Sequence, residues 1–139
     1  MQPHERSTDI ASIDGLEGKS VEKFKQIGIH TIRDLLERGA TRKDRQELSE
    51  KTAFSESQIL DWVRQAELLT IEGIGPVYLQ LLRRTGVKSA PALSLQNSAA
   101  LYKNLQKTNL KSQVVQRLPS RKEVRNWVKQ AGKIKAGIR

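Results

Sequence analysis

The sequence predicts an all-α protein made of two tandem copies of one helical unit, and three observations predict it. First, the stretch from Ile10 lies on the stretch from Leu68 without a gap, at an offset of 58 residues. Ile13 meets Ile71, Gly15 meets Gly73, Leu16 meets Ile74, Phe24 meets Leu82, Gly28 meets Gly86 and Leu35 meets Leu93. Second, Ser55 to Ala66 resembles Ser120 to Ala131 at an offset of 65, so the second copy carries seven extra residues in its middle. Such self-similarity marks an internal repeat. Third, no stretch sustains the period-two alternation of a half-buried strand. Val114-Val115 is the one β-branched pair of the second copy outside helical context, and it is too short to build a sheet.

Each element follows from local chemistry. Residues 1–9 are polar and predict a disordered N-terminus. The first repeat, residues 10–67, opens on a turn at Gly15-Leu16-Glu17, followed by Val21 and Phe24 at helical spacing and by Gly28 as a helix stop. Thr41 suits the N-cap of an intermediate helix. Ser55 with Gln58 reads as a capping box, and Ile59, Trp62, Val63 and Ala66 form one apolar stripe behind it. The second repeat, residues 68–131, opens on Gly73-Ile74-Gly75-Pro76. Two glycines permit positive φ at both positions, and Pro76 suits the first residue of a helix. Leu79, Leu81 and Leu82 continue that helix, and Gly86 ends it. Asn97 or Ser98 can cap a helix bearing Leu101 and Leu105, and Ser120 with Glu123 opens a last helix striped by Val124, Trp127, Val128 and Ala131. The tryptophans, set within apolar stripes, read as core rather than as stacking platforms. Residues 132–139 read as a basic tail. The expectation is eight to ten short helices.

Charge separates the copies. Residues 1–70 hold eleven Lys/Arg against thirteen Asp/Glu, whereas residues 71–139 hold fourteen against Glu72 and Glu123 alone, a net of +12. A lobe so basic suggests a polyanionic partner. Arg83 and Arg84 close the helix after the second turn. Lys103, Lys107 and Lys111 recur every four residues, as do Arg121, Arg125, Lys129 and Lys133, which places each set along one helical face. Like charges in such rows repel one another, so an anionic partner gives them a reason. Cysteine is absent, which removes disulfides and thiolate metal sites. No apolar run reaches membrane-spanning length, and the expectation is a cytoplasmic protein.

Helix, Gly-apolar-Gly turn, helix resembles the helix-hairpin-helix motif of DNA repair and replication proteins. Backbone N–H groups around such a turn, with the N-terminus of the next helix, can hold a phosphate oxygen. The contact positions nucleic acid without reading its sequence. The whole pattern runs from the first hairpin through G-I-x-T-x-x-D-L-L, D-W-V-R-Q-A and G-I-G-P to the closing L-P-S and W-V-x-Q-A. It resembles a bacterial domain-of-unknown-function family (domain of unknown function 4332) built from tandem helix-hairpin-helix units, over residues 10–131. That family carries no established activity. The resemblance implies two repeats packed with pseudo-twofold symmetry, each followed by a capped amphipathic helix. In DNA-binding examples the paired hairpins grip both strands across a minor groove, and such hairpins can also hold a monovalent cation through their carbonyls. Carried over, the phosphate contacts fall at Gly73, Ile74 and Gly75, and at Gly15, Leu16 and Glu17. Glu17 departs from the pattern, because its carboxylate repels phosphate and Lys19 compensates only in part. Val77 stands where many such hairpins carry Lys or Arg. The first hairpin therefore reads as structural and the second as competent.

Catalysis finds no support. His4 and His30 stand apart from any carboxylate cluster with metal spacing, and nucleophile–base pairs are not evident. The second half lacks the Asp that follows the hairpin in some DNA glycosylases. The expected protein is non-catalytic, without cofactor, metal or small-molecule substrate, and binds nucleic acid (DNA ahead of RNA) independently of sequence. The alternative is a helical adaptor whose basic half docks an acidic protein surface. Attachment to anionic lipid by the last helix is weaker still, because Trp127 faces the core.

Overall fold

The computed structural model describes residues 9–134 and Ile138. Among them are eight α-helices and no strand, so the protein is all-α. A single-turn 3-10 helix, Ile10–Ser12, is followed by α1 (Lys19–Gln26), α2 (Ile32–Arg38), α3 (Arg42–Thr52) and α4 (Glu56–Leu69). Then come α5 (Pro76–Arg84), α6 (Ala90–Ser94), α7 (Ser98–Ser112) and α8 (Arg121–Lys133). The chain divides into two compact units after Thr70; Ile138 belongs to the first. The predicted disorder of residues 1–9 falls outside the described residues except at Asp9, whose carboxylate accepts the Ala11 N–H at 2.8 Å and caps the 3-10 turn. Of the expected tail, Gly132 and Lys133 belong to α8, and Ile138 packs against the first core. Lys135, Ala136, Gly137 and Arg139 lie outside the described residues.

The first unit buries Phe24, Leu35, Leu48, Ile59, Trp62 and Val63 in one core, with Phe54 packed against it. The Phe54 ring meets Trp62 edge-on at 5.1 Å, and Phe24 meets Trp62 edge-on at 5.7 Å, geometries that suit the ring quadrupoles. Helix starts are capped by the residues expected, although Ser55 and Gln58 form only the serine half of the expected capping box. Thr41 accepts the Asp44 N–H at 3.0 Å and Ser55 accepts the Gln58 N–H at 3.1 Å. Thr31 and Asp34 form a full capping box, which explains the polar residues of the G-I-x-T-x-x-D-L-L segment. The Asp34 carboxylate accepts the backbone N–H groups of His30 and Thr31, and these bonds hold its pKa below the ordinary value.

The second unit repeats these devices. Trp127, Val124, Leu82, Leu93, Leu101 and Leu105 are buried. Asn97 caps α7 and Ser120 shares a full capping box with Glu123. Gly28 and Gly86 both take positive φ, of 89° and 103°, one residue beyond the helix cap. The following N–H then reaches back to the third-last helical carbonyl, Ile29 to Phe24 and Val87 to Leu82, each at 2.9 Å. This is the Schellman closure. Relative to the first unit, α7 is four residues longer than α3, its connection to α8 is five longer and α6 is two shorter than α2, which together make the seven extra residues.

Candidate nucleic-acid interface

In the second hairpin the Ile74 N–H donates to the Ile71 carbonyl at 3.0 Å, closing the turn, and the Ile74 side chain is buried. The tryptophan and glutamine of α8 lock the turn from below. Gln130 accepts the Glu72 N–H at 3.0 Å and donates to the Glu72 carbonyl at 3.3 Å. Gly73 has φ of +93°, and a Cβ there would lie 2.9 Å from Trp127 Nε1. The first hairpin uses the same parts. Leu16 N–H donates to Ile13, the Gln65 carboxamide brackets Asp14 at 2.9 and 3.1 Å, and Gly15 (φ +86°) faces Trp62 Nε1. Tryptophan and glutamine three residues apart on one helical face thus serve one purpose in both units. The sequence reading placed the tryptophans in the core but missed both glutamines. Their recurrence at one offset was the available signal.

Two expectations at this turn are corrected. Gly75 does not take positive φ; it is the N-cap of α5, with φ of −96° and extended backbone. Positive φ is confined to Gly73 because Pro76 starts the helix immediately after Gly75. Ile74 cannot offer its N–H to a phosphate, because that group closes the turn. In the first hairpin the helix begins one residue later, after Gly18 at φ of +61°.

The amide groups left at this end belong to the first turn of α5, where no side chain caps the helix. Beside them is a shallow depression of about 430 Å³, lined by Gly73, Gly75, Pro76, Val77, Tyr78, Val115, Gln116 and Arg117. Its far wall is the segment that only the second copy possesses. That segment is fixed at three points. Asn109 brackets Val115 through its N–H at 2.9 Å and its carbonyl at 3.0 Å, the Tyr78 hydroxyl donates to the Arg117 carbonyl at 2.9 Å, and Pro119 is buried. The Arg117 side chain is 72% exposed and lies 3.6 Å from Glu123. Arg117 thus supplies the cation that Val77, itself exposed, does not. Sequence reasoning missed it because the connection bringing it there spans 39 residues from Tyr78.

The basic rows fall elsewhere on the unit. Lys103, Arg121 and Arg125 meet in a second depression of about 200 Å³ between α7 and α8, together with Tyr102, Ser98 and Ala99. The Arg121 guanidinium lies 5.0 Å from the Tyr102 ring centre. A helix turns about 100° per residue, so Arg125 and Lys129 point away from the face that carries Trp127 to the hairpin. Lys107, Lys111, Lys129 and Lys133 are exposed farther along the same helices, Arg84 is exposed at the end of α5 and Arg83 is partly buried. The structure therefore does not gather the predicted residues in one place: some line the depression between α7 and α8, the hairpin glycines line the other, and the rest lie outside both. Among the described residues no group of His, Asp or Glu is placed to hold a metal, and no helix is long and apolar enough to cross a membrane.

The class these features define is an all-helical protein of two compact units. The chain belongs to the family described as a domain of unknown function, DUF4332, whose sequence profile matches residues 14–134. No curated protein and no solved structure matches it.

Proposed function

We propose that the two units are helix-hairpin-helix modules and that the second binds nucleic acid through phosphate, without sequence specificity and without catalysis. One observation carries the reading. Gly73 is required by its backbone angle and by Trp127, but Gly75 is required by neither: its φ suits any residue, and a Cβ there would meet nothing within 4 Å. A glycine that the fold does not need, at the uncapped N-terminus of α5 and beside Arg117, is explained by close approach of a ligand. The helix dipole and the free first-turn amides favour an anion there. The +12 balance of residues 71–139 supplies long-range attraction for a polyanion.

The test is Gly75→Glu, which copies Glu17 of the first hairpin. Because the position is open, the variant keeps its fold, and its affinity for duplex or single-stranded DNA at low salt drops. Arg117→Gln weakens binding and lowers the slope of log affinity against log salt by about one. Equal binding by wild type and Gly75→Glu would reject the hairpin. Leu95 and Leu110, 85% and 81% exposed, favour a second reading as an adaptor that docks a protein with an acidic and partly apolar surface. Absence of nucleic-acid binding at low salt selects it.

A further inference from the structure

We propose that the depression between α7 and α8 is a nucleotide site for single-stranded nucleic acid, with a base stacked on Tyr102 and its phosphates held by Lys103, Arg121 and Arg125. The inference rests on the nucleic-acid reading above but concerns a different surface. Three cations and one half-buried aromatic ring line the depression, and no carboxylate is among its lining residues. Guanidinium and ring already lie 5.0 Å apart as one wall. Holding three like charges around one hollow costs stability, and an anion within it removes that cost. A ring in a hollow accepts an unstacked base, whereas duplex DNA keeps its bases stacked inside and offers such a surface phosphates alone.

The first unit is the built-in comparison. The N-caps Thr41 and Asn97 pair α3 with α7, so Tyr102 corresponds to Gln46 and Lys103 to Glu47, and on α8 Arg121 corresponds to Glu56 and Arg125 to Leu60. Arg45, a basic side chain of α3, instead turns inward, where it is buried and donates to the Gly39 carbonyl at 2.7 Å. The same surface thus carries Glu47 and Glu56 in one copy and Lys103 and Arg121 in the other. Helix packing does not demand the change, since α3 packs on α4 without it.

Anisotropy titrations of the full chain against a fluorescein-labelled oligo-dT and a mixed-sequence duplex test the inference, with Tyr102→Leu, Tyr102→Phe and Gly75→Glu in parallel. Tyr102→Leu is expected to weaken oligo-dT binding at least about fivefold, the scale of losing one base stack, and to leave duplex binding unchanged. Tyr102→Phe retains the wild-type affinity. Equal affinity of wild type and Tyr102→Leu for oligo-dT overturns the inference; if Gly75→Glu still weakens binding, the hairpin reading survives alone. Failure of wild type to bind either probe overturns both. Should Tyr102→Leu lose helicity, Arg121→Gln on the exposed surface replaces it. That variant is expected to lower oligo-dT affinity and reduce the salt slope by about one, and an unchanged slope refutes the site.

Discussion

Gly73 and Gly75 stand two residues apart in one turn, and the structure assigns them opposite reasons for being glycine. Alanine at each separates those reasons. At Gly73 an L-residue must sit at φ of +93°, and its Cβ would come within 2.9 Å of Trp127 Nε1. A non-glycine residue in that region costs about 1–3 kcal/mol. Relief of the contact requires Trp127, almost wholly buried, to shift within a close-packed core, which adds about 1 kcal/mol or more. The expected loss for Gly73→Ala is about 2–4 kcal/mol. At Gly75 the backbone is extended and the Cβ enters open space. Restricting the unfolded chain there gains up to about 1 kcal/mol, and alanine's poorer fit to the N-cap of α5 offsets it, so the expected change is within about 1 kcal/mol of zero. Urea unfolding followed by tryptophan fluorescence and by helical circular dichroism measures both variants. A Gly73→Ala loss below about 0.5 kcal/mol, or an equal loss at the two positions, would refute the argument that only the first glycine serves the fold.

Gln65→Ala is expected to cost about 2–4 kcal/mol, because the fully buried carboxamide serves the Asp14 N–H, the Asp14 carbonyl and the Asp61 carboxylate, and its loss orphans buried groups. Gln130→Ala, where the bonds are exposed, is expected to cost about 1 kcal/mol, both read from urea midpoints. Burial pushes the Glu67 carboxyl above its ordinary pKa, so the folded chain holds that proton more tightly than the unfolded chain. Its contribution is fully present below pH 4.5 and is lost as pH rises through the folded-state value; Glu67→Gln therefore raises the unfolding midpoint at neutral pH and not in acid. Glu17→Gly restores a second glycine to the first hairpin but is expected to leave DNA affinity unchanged, because α1 starts a residue later and the short α3–α4 connection carries no counterpart of Arg117. A gain in affinity would mean that the glycine turn suffices without the added arginine.

The repeat, the helix caps and the buried tryptophans were legible because each is written locally. Gly28 and Gly86 announce helix ends, Ser120 with Glu123 announces a start, and Trp62 and Trp127 fall within apolar stripes. What failed was conformational detail inside the turn. A Gly-apolar-Gly triplet allows positive φ at both glycines, and only the helix start at Pro76 decides that Gly75 is extended. Burial of Ile74 was equally hidden, since an apolar residue between glycines can point either way. The members of the two depressions were named or missed according to distance. Lys103 and Arg121 were found as rows on separate helices, but nothing in either row says that they meet over Tyr102. Arg117 belongs to no row at all.

The two copies divide the residues into those that hold the unit together and those free to vary. Tryptophan against the hairpin glycine, glutamine across the turn and the Schellman glycine occur in both, in the same geometry, so the unit needs them whatever it binds. Glu17 against Gly75, Gln46 against Tyr102, Glu47 against Lys103, Glu56 against Arg121 and Leu60 against Arg125 differ, and both copies fold. Folding alone therefore cannot account for the second set of choices. At the cleft each exchange replaces an acidic, neutral or apolar residue with a cation or an aromatic face. At the hairpin the loss of Glu17 is accompanied by the loss of Lys19, which Val77 replaces, so the turn itself gains no charge and its cation is Arg117 of the added segment. A cleft that gains charge and a hairpin that gains a neighbouring arginine are what a polyanion bound by this unit would require.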